Sequence, residues 1–244
     1  MSATKRWYFD AFGGEKHEYK RRDGNSRHPY RDMKLRIEGN ELITEGAIVQ
    51  NIMIVGTAAP AQPSARANAI HLAKVIQDMS VFIDRLAACQ FPTGNNIDDI
   101  LARVLEADQV RNEDGLTNWV EGGSSKTVLY AVDPAVLWQH IGNNRYSFAR
   151  EAHLRDPITV QNMVKATVGR RLAVTNKSYA ALVPSSARCG DVICILWGAR
   201  VPFVLRPEED HYVLIGDCYV EGMMCGELFE DEKTSPRMQE IRIH

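Results

Sequence analysis

Glu221, His211 and Tyr212 are the side chains of this sequence best suited to moving a proton. Glu221 stands between Tyr219–Val220 and Met223–Met224. A carboxyl group beside apolar neighbours has its charged form disfavoured and its pKa raised, which suits it to general acid or base work. His211, Tyr212 or Arg200 would donate to a substrate carbonyl or carboxylate. Trp197, Phe203, Tyr219 and Met223 would supply the apolar wall of a binding cavity, since small barrels either fill with their own side chains or hold one small ligand. A filled core is the plainer of those two readings. Arg170, Arg171, Arg200 and Arg206 fall at strand ends, where guanidinium groups converge on a carboxylate or phosphate with bidentate geometry. The plainer reading is that they bridge strand edges and loops to Asp191, Glu208 or Glu209.

The chemistry that announces itself by spacing is missing. Neither G-x-x-x-x-G-K-[ST] nor G-x-G-x-x-G occurs, and Gly122 to Lys126 only echo a phosphate loop without a strand before it. The seven histidines are scattered, none at a zinc-ligand spacing with Cys, Asp or Glu, and Asp210–His211 reads as a turn between strands. No G-x-S-x-G elbow is present. Five cysteines, an odd number without C-x-x-C spacing, indicate a reducing compartment. Cys218 and Cys225 read as buried, inert thiols rather than nucleophiles. No cofactor and no metal are expected.

The elements that must position these residues belong to an ordinary globular composition, 45% hydrophobic and 25% charged over 244 residues. Twenty-nine basic against 31 acidic residues leave a net charge of -2, too little field to gather a phosphate backbone, so nucleic acid is not an expected partner. The basic, tyrosine-bearing stretch 1–30 reads as a solvated arm. No run approaches the roughly 18 apolar residues of a membrane span and no apolar segment follows Met1, so a soluble cytoplasmic protein is expected.

Residues 1–33 read as an irregular arm. Alternation at Leu35, Ile37 and Leu42, followed by the β-branched run 47–55, predicts a hairpin about Gly39 and Asn40 or two consecutive strands. Ser64 then caps a helix to Cys89 whose Ile70, Ala73, Ile76, Met79, Ile83 and Leu86 share one face. A second helix follows Asn96, with Ile97, Ile100, Leu101, Val104 and Leu105 inward. Residues 109–126 read as loop with room for one helical turn over 116–120, and short helices are expected over 134–141 and 158–168. After Gly169 the texture becomes that of short strands: 171–175, 179–183, 192–197, 203–206, 212–215, 218–220 and 241–243, separated by Gly, Pro, Asn and Asp turns. In the strand 192–197, Ile193, Ile195 and Trp197 share one face and Val192, Cys194 and Leu196 the other, with the inward face undetermined. The fold class expected is α+β: a helical subdomain packed on a small antiparallel C-terminal β-barrel, joined by an N-terminal hairpin. Its parts are an arm (1–33), a hairpin and helical region (34–168) and a barrel (169–244), with 34–244 one compact unit.

Three phrases of this C-terminal block, GRRLAVTNKSYAALVP (169–184), GDVICILWGARVPFVLRP (190–207) and HYVLIGDCYVEGMMCGE (211–227), together resemble the C-terminal barrel region of fungal heterokaryon-incompatibility proteins. The resemblance extends more faintly to LRIEGNELITEGAIVQNIMIVG (35–56). Proteins of that family usually carry an N-terminal signalling domain of Toll/interleukin-receptor-like type, so the expectation here is the barrel module standing alone. Where they read Tyr-Val-His-Gly-x-Met-Asp-Gly-Glu, this chain has Glu221 for the His and Cys225 for the Asp. Trp197 takes a strand position usually filled by a smaller aliphatic residue.

Two functional readings follow. The first, placed slightly ahead, is a cofactor-independent enzyme of fungal specialised metabolism. It would fold an apolar polyene or terpenoid-like substrate for cyclisation, of Diels-Alderase type, or for isomerisation, because holding reacting atoms close supplies a large part of a barrier without a motif. The alternative is a non-catalytic ligand-binding or adaptor module related to heterokaryon-incompatibility signalling. A small apolar molecule is the expected partner, and a homodimer is compatible with either reading.

Overall fold

The hairpin at Gly39 and Asn40 begins the architecture. β1 (Arg36–Glu38) and β2 (Glu41–Val55) pair antiparallel with Glu38 opposite Glu41, leaving a two-residue loop. Gly39 sits at φ 61°, a conformation glycine adopts without steric cost and that the first central position of a II′ turn requires. The computed structural model describes residues 35–58, 100, 103–105, 107, 109–111, 117–119, 166–224, 226–229 and 235–244.

β2 is a single 15-residue strand uniting both apolar runs of the sequence. Register shifts at Ile48/Gln50 and Ile52/Ile54 bend it, as β-bulges do, and let it serve two sheets. β7 (Val192–Leu196), β8 (Phe203–Pro207), β9 (Tyr212–Asp217) and β11 (Gln239–Ile243) lie side by side in the sheet in the order β11, β9, β8, β7. β2 pairs with both ends of that series, antiparallel to β11 over 42–46 and to β7 over 46–51. Five strands therefore close into a ring, which removes the open edges an unclosed sheet would present. The narrowest seam joins β11 to β9 in parallel through Ile243 and Tyr212, where the His244 N–H donates to the Tyr212 carbonyl at 2.8 Å. Gly46 is paired with both flanking strands, opposite Leu196 of β7 and Gln239 of β11. A Cβ there would meet the Ile195 carbonyl oxygen, Ile241 Cγ1 and Leu196 Cδ2, each at 3.1 Å.

The far end of β2 leaves the ring and pairs with β5 (Arg170–Thr175), which pairs with β6 (Ala180–Pro184) and then β10 (Tyr219–Val220). Two cores result. The first draws on all five ring strands: Leu42 and Ile48 from β2, Val192, Cys194 and Leu196 from β7, Phe203 and Leu205 from β8, Tyr212 from β9, Ile241 and Ile243 from β11. The second lies between the ring wall and the β5–β6–β10 layer, with Ile52, Ala173, Ala181, Val183, Ile193, Val204, Cys218, Val220 and Met223. β7 is buried on both faces, and this settles its sides: Val192, Cys194 and Leu196 point into the ring, and Ile193 points to the second core. Ile195 heads a smaller cluster with Val49, Trp197, Leu228, Phe229 and Met238.

The seven strands expected after Gly169 all form, their ends within two residues of expectation. The α+β class is corrected. Among the described residues the regular structure is strands and one 3-10 turn, Glu227–Phe229, and no helical subdomain is present. Residues 103–105 and 166–167 have helical backbone only as fragments. The helices expected over 64–89 and 134–141 lie outside the described residues, as do most of those expected over 97–105 and 158–168 and the arm 1–33. The helical turn allowed at 116–120 is also corrected: β4 (Thr117–Trp119) pairs antiparallel with β3 (Gln109–Arg111). A β-branched and an aromatic residue in a three-residue stretch take the extended form once a partner strand supplies hydrogen bonds. Among the described residues no helix is long and apolar enough to cross a membrane.

Candidate functional site

Three strand ends of the barrel each hold a cluster of polar side chains. Asp191 immediately precedes β7 and is 1% exposed. Its Oδ1 accepts from Arg206 Nε at 2.8 Å, and its Oδ2 from Arg206 Nη2 at 3.0 Å and the Arg188 N–H at 2.9 Å. Arg206 Nη2 also donates to the Ser186 carbonyl at 3.0 Å. The hydrogen bonds it donates to Asp191 hold Arg206 still more firmly in its charged form. A planar fork matched to a carboxylate in this way ties β8 to the turn before β7.

At the edge of the second sheet, Arg170 donates to the Asp217 carbonyl and carboxylate, both at 2.6 Å. Arg171 donates to the carbonyls of Gly56 at 2.7 Å and Ala187 at 3.0 Å. Arg200 is exposed on the turn between β7 and β8. The four arginines therefore do not converge on one anion. Arg206 takes Asp191, Arg170 takes Asp217, and Arg171 fastens carbonyls of neighbouring loops.

The third place is the turn after β10. Glu221 is 2% exposed, its N–H donates to the Ala180 carbonyl at 3.0 Å, and Arg103 Nη1 lies 3.5 Å from its Oε1. Arg103 is itself buried, from a short stretch with buried Ile100, Val104 and Leu105. Tyr179 is close by. Burial first, then the charges of Glu221 and Glu227, pushes its hydroxyl pKa up. The sequence reading found Glu221 but missed Arg103 and Tyr179; the available signal was a single arginine set among inward apolar positions.

The remaining candidates are dispersed. Phe203 and Tyr212 pack with the ring interior, Met223 with the second core and Trp197 with the Ile195 cluster, while Tyr219 is fully buried. Burial, then Cys194, pushes the Tyr212 hydroxyl up. His211 Nδ1 lies 2.9 Å from Asp210 Oδ1, which lowers the Asp210 pKa, and its ring meets that of His244 edge-on at 5.1 Å. His211 and Tyr212 are thus neighbours at the start of β9 while Glu221 stands apart on the turn after β10, and of the eight candidates only Phe203 and Tyr212 share the ring interior. Burial pushes the Cys194 thiol up to about 12 and that of Cys218 higher still, which favours the protonated form of both. The Cys225 side chain lies outside the described residues.

Residues 140–236 match the Het-6 β-barrel domain. The matched stretch holds β5 to β10, whereas two strands of the closed ring, β2 and β11, lie outside it. Among curated proteins, heterokaryon incompatibility protein 6, OR allele, of Neurospora crassa is 33% identical over 64 residues, covering 25% of this chain. The match spans 9% of the length of that relative. No solved structure matches the chain. The C-terminal part of the chain is therefore similar to the barrel of a fungal heterokaryon-incompatibility protein.

Proposed function

We propose that this chain is a non-catalytic module of the heterokaryon-incompatibility type that acts through its outer surface. The observation that carries the proposal is the ring interior, which side chains from all five strands occupy. A five-stranded ring is narrower than the eight-stranded barrels that hold one small ligand, so the wall, not the lumen, is left to do the recognising. The similarity to the Het-6 β-barrel domain and to the Neurospora crassa protein supports the same reading. The commitment of Asp191, Arg170, Arg171 and Arg206 to structural hydrogen bonds supports it too. No observation favours the cyclase or isomerase over this module.

Two measurements test the proposal. Thermal unfolding with long-chain polyenes, and with an apolar fluorescent dye, is expected to show no ligand-dependent rise in Tm and no dye emission before the transition. A dose-dependent rise in Tm, or emission from the folded chain, demonstrates an internal binding site and overturns the surface reading. Expression in Neurospora crassa is expected to change heterokaryon formation between otherwise compatible strains, and an unchanged frequency overturns the signalling part.

A further inference from the structure

β1 is the one ring-side strand whose three residues are all exposed. Among the described residues it pairs with β2 alone. The direction of its backbone groups follows from β2. Ile43 faces both Arg36 and Arg242, and Gly46 both Gln239 and Leu196. β1 and β7 therefore share one edge of β2, opposite β11. On that edge the Glu45 carbonyl accepts from the Trp197 N–H at 2.8 Å. By strand alternation Ile43 and Glu41 also turn their backbone groups toward that edge and Leu42 turns its own away. Ile37, opposite Leu42, consequently directs its N–H and C=O outward.

The two faces of β1 differ. Ile37 shares a face with Leu42, which packs into the ring interior, yet Ile37 is 74% exposed and Leu35, on the same face by alternation, 46%. This is the ring's apolar inner face continued past its rim. The other face carries one cation and one anion, Arg36 and Glu38, 3.6 Å apart, with Arg36 also 3.0 Å from Glu240. Sheet edges are commonly protected by charged side chains, lysine above all. Here the charges are opposite and symmetric about Ile37.

We propose that β1 is a self-association edge: two copies of this chain pair β1 antiparallel about a two-fold axis at Ile37. The two Ile37 residues then exchange both backbone hydrogen bonds, their side chains pack together with Leu35, and Arg36 of each copy stands directly opposite Glu38 of the other. A parallel pairing would place Arg36 against Arg36 and is disfavoured, since like charges directly opposite destabilise a sheet. An edge this short buries less than a standard stable interface, so association is weak and rises with concentration. The proposal is independent of the module reading.

Sedimentation equilibrium of the full chain over a concentration series reads it out, with circular dichroism confirming that each variant is folded. Ile37→Pro removes the outward N–H but none of the β1–β2 ladder, as proline does at sheet edges, and is expected to be monomeric. Arg36→Glu and Glu38→Arg each set like charges opposite one another and are expected to weaken self-association about ten-fold or more. Equimolar R36E and E38R, whose charges complement each other, are expected to form a heterodimer that neither forms alone. A monomeric wild-type chain at every concentration overturns the proposal, as do an I37P variant that associates like the wild type and a mixture that fails to associate.

Discussion

Replacing Asp191 by alanine removes three hydrogen bonds from one buried carboxylate, two from Arg206 and one from the Arg188 N–H. Removing one partner of a buried ion pair costs about 3–5 kcal/mol, because the other charge is left uncompensated. The Arg206 side chain is 19% exposed and keeps the Ser186 carbonyl, which moves the expected cost to the low end, about 3 kcal/mol. Against a total stability of roughly 5–15 kcal/mol this is a large fraction. In a chain of this size it corresponds to a fall in Tm of about 6–12 °C. Urea unfolding followed by far-ultraviolet circular dichroism measures it, with an unchanged m-value showing that the native ensemble is the same. Arg206→Met in the Asp191→Ala background removes the stranded cation and is expected to recover part of the loss, so the cycle has a coupling energy well above the scatter of independent sites. A loss below about 1 kcal/mol for Asp191→Ala, or strict additivity in the cycle, refutes the assignment of Asp191 as the residue that ties β8 to the turn before β7.

Two further outcomes follow from the packing. Gly46→Val places carbon within 3.1 Å of the Ile195 backbone oxygen, which cannot withdraw without moving β7. A loss of about 1–3 kcal/mol by urea unfolding is expected, and a neutral substitution would show that β2 and β7 are further apart than described. Cys194 has a folded pKa of about 12 against an ordinary value of 9.0, through burial. Below pH 9 the thiol is protonated in both states and its contribution is whole. Between pH 9 and 12 the unfolded chain ionises first, and stability falls by about 4 kcal/mol. Tyr179 and Tyr212, also raised by burial, act in the same direction above their ordinary value of 10. Cys194→Ala is expected to flatten the pH dependence of unfolding free energy over this window, and an identical slope in variant and wild type refutes the burial of that thiol.

Much of the barrel was legible because its signals are local. Gly39–Asn40 sets a hairpin by loop length and φ, and the β-branched runs between Gly, Pro and Asp mark the strands after Gly169 to within a residue or two. Trp119 and Thr117 were misread because a three-residue segment carries too little pattern, and pairing with Gln109–Arg111 chose for it. For Glu221 the sequence supplied the carboxylate but not its cation, since Arg103 lies more than a hundred positions upstream.

The sequence by itself determined which segments after Gly169 are extended and that both sides of Val192–Leu196 are apolar. It could not say which side is enclosed, because alternation is symmetric until a partner sheet breaks the symmetry. Tertiary structure decided that with a single strand. β2, bent at two bulges, pairs with β11 and β7 to close the ring and with β5 to lay a second sheet against it, so Cys194 faces the lumen and Ile193 the second core. The same pairings, between residues as distant as Gly46 and Gln239, left β1 with an outward edge and Ile37 in water.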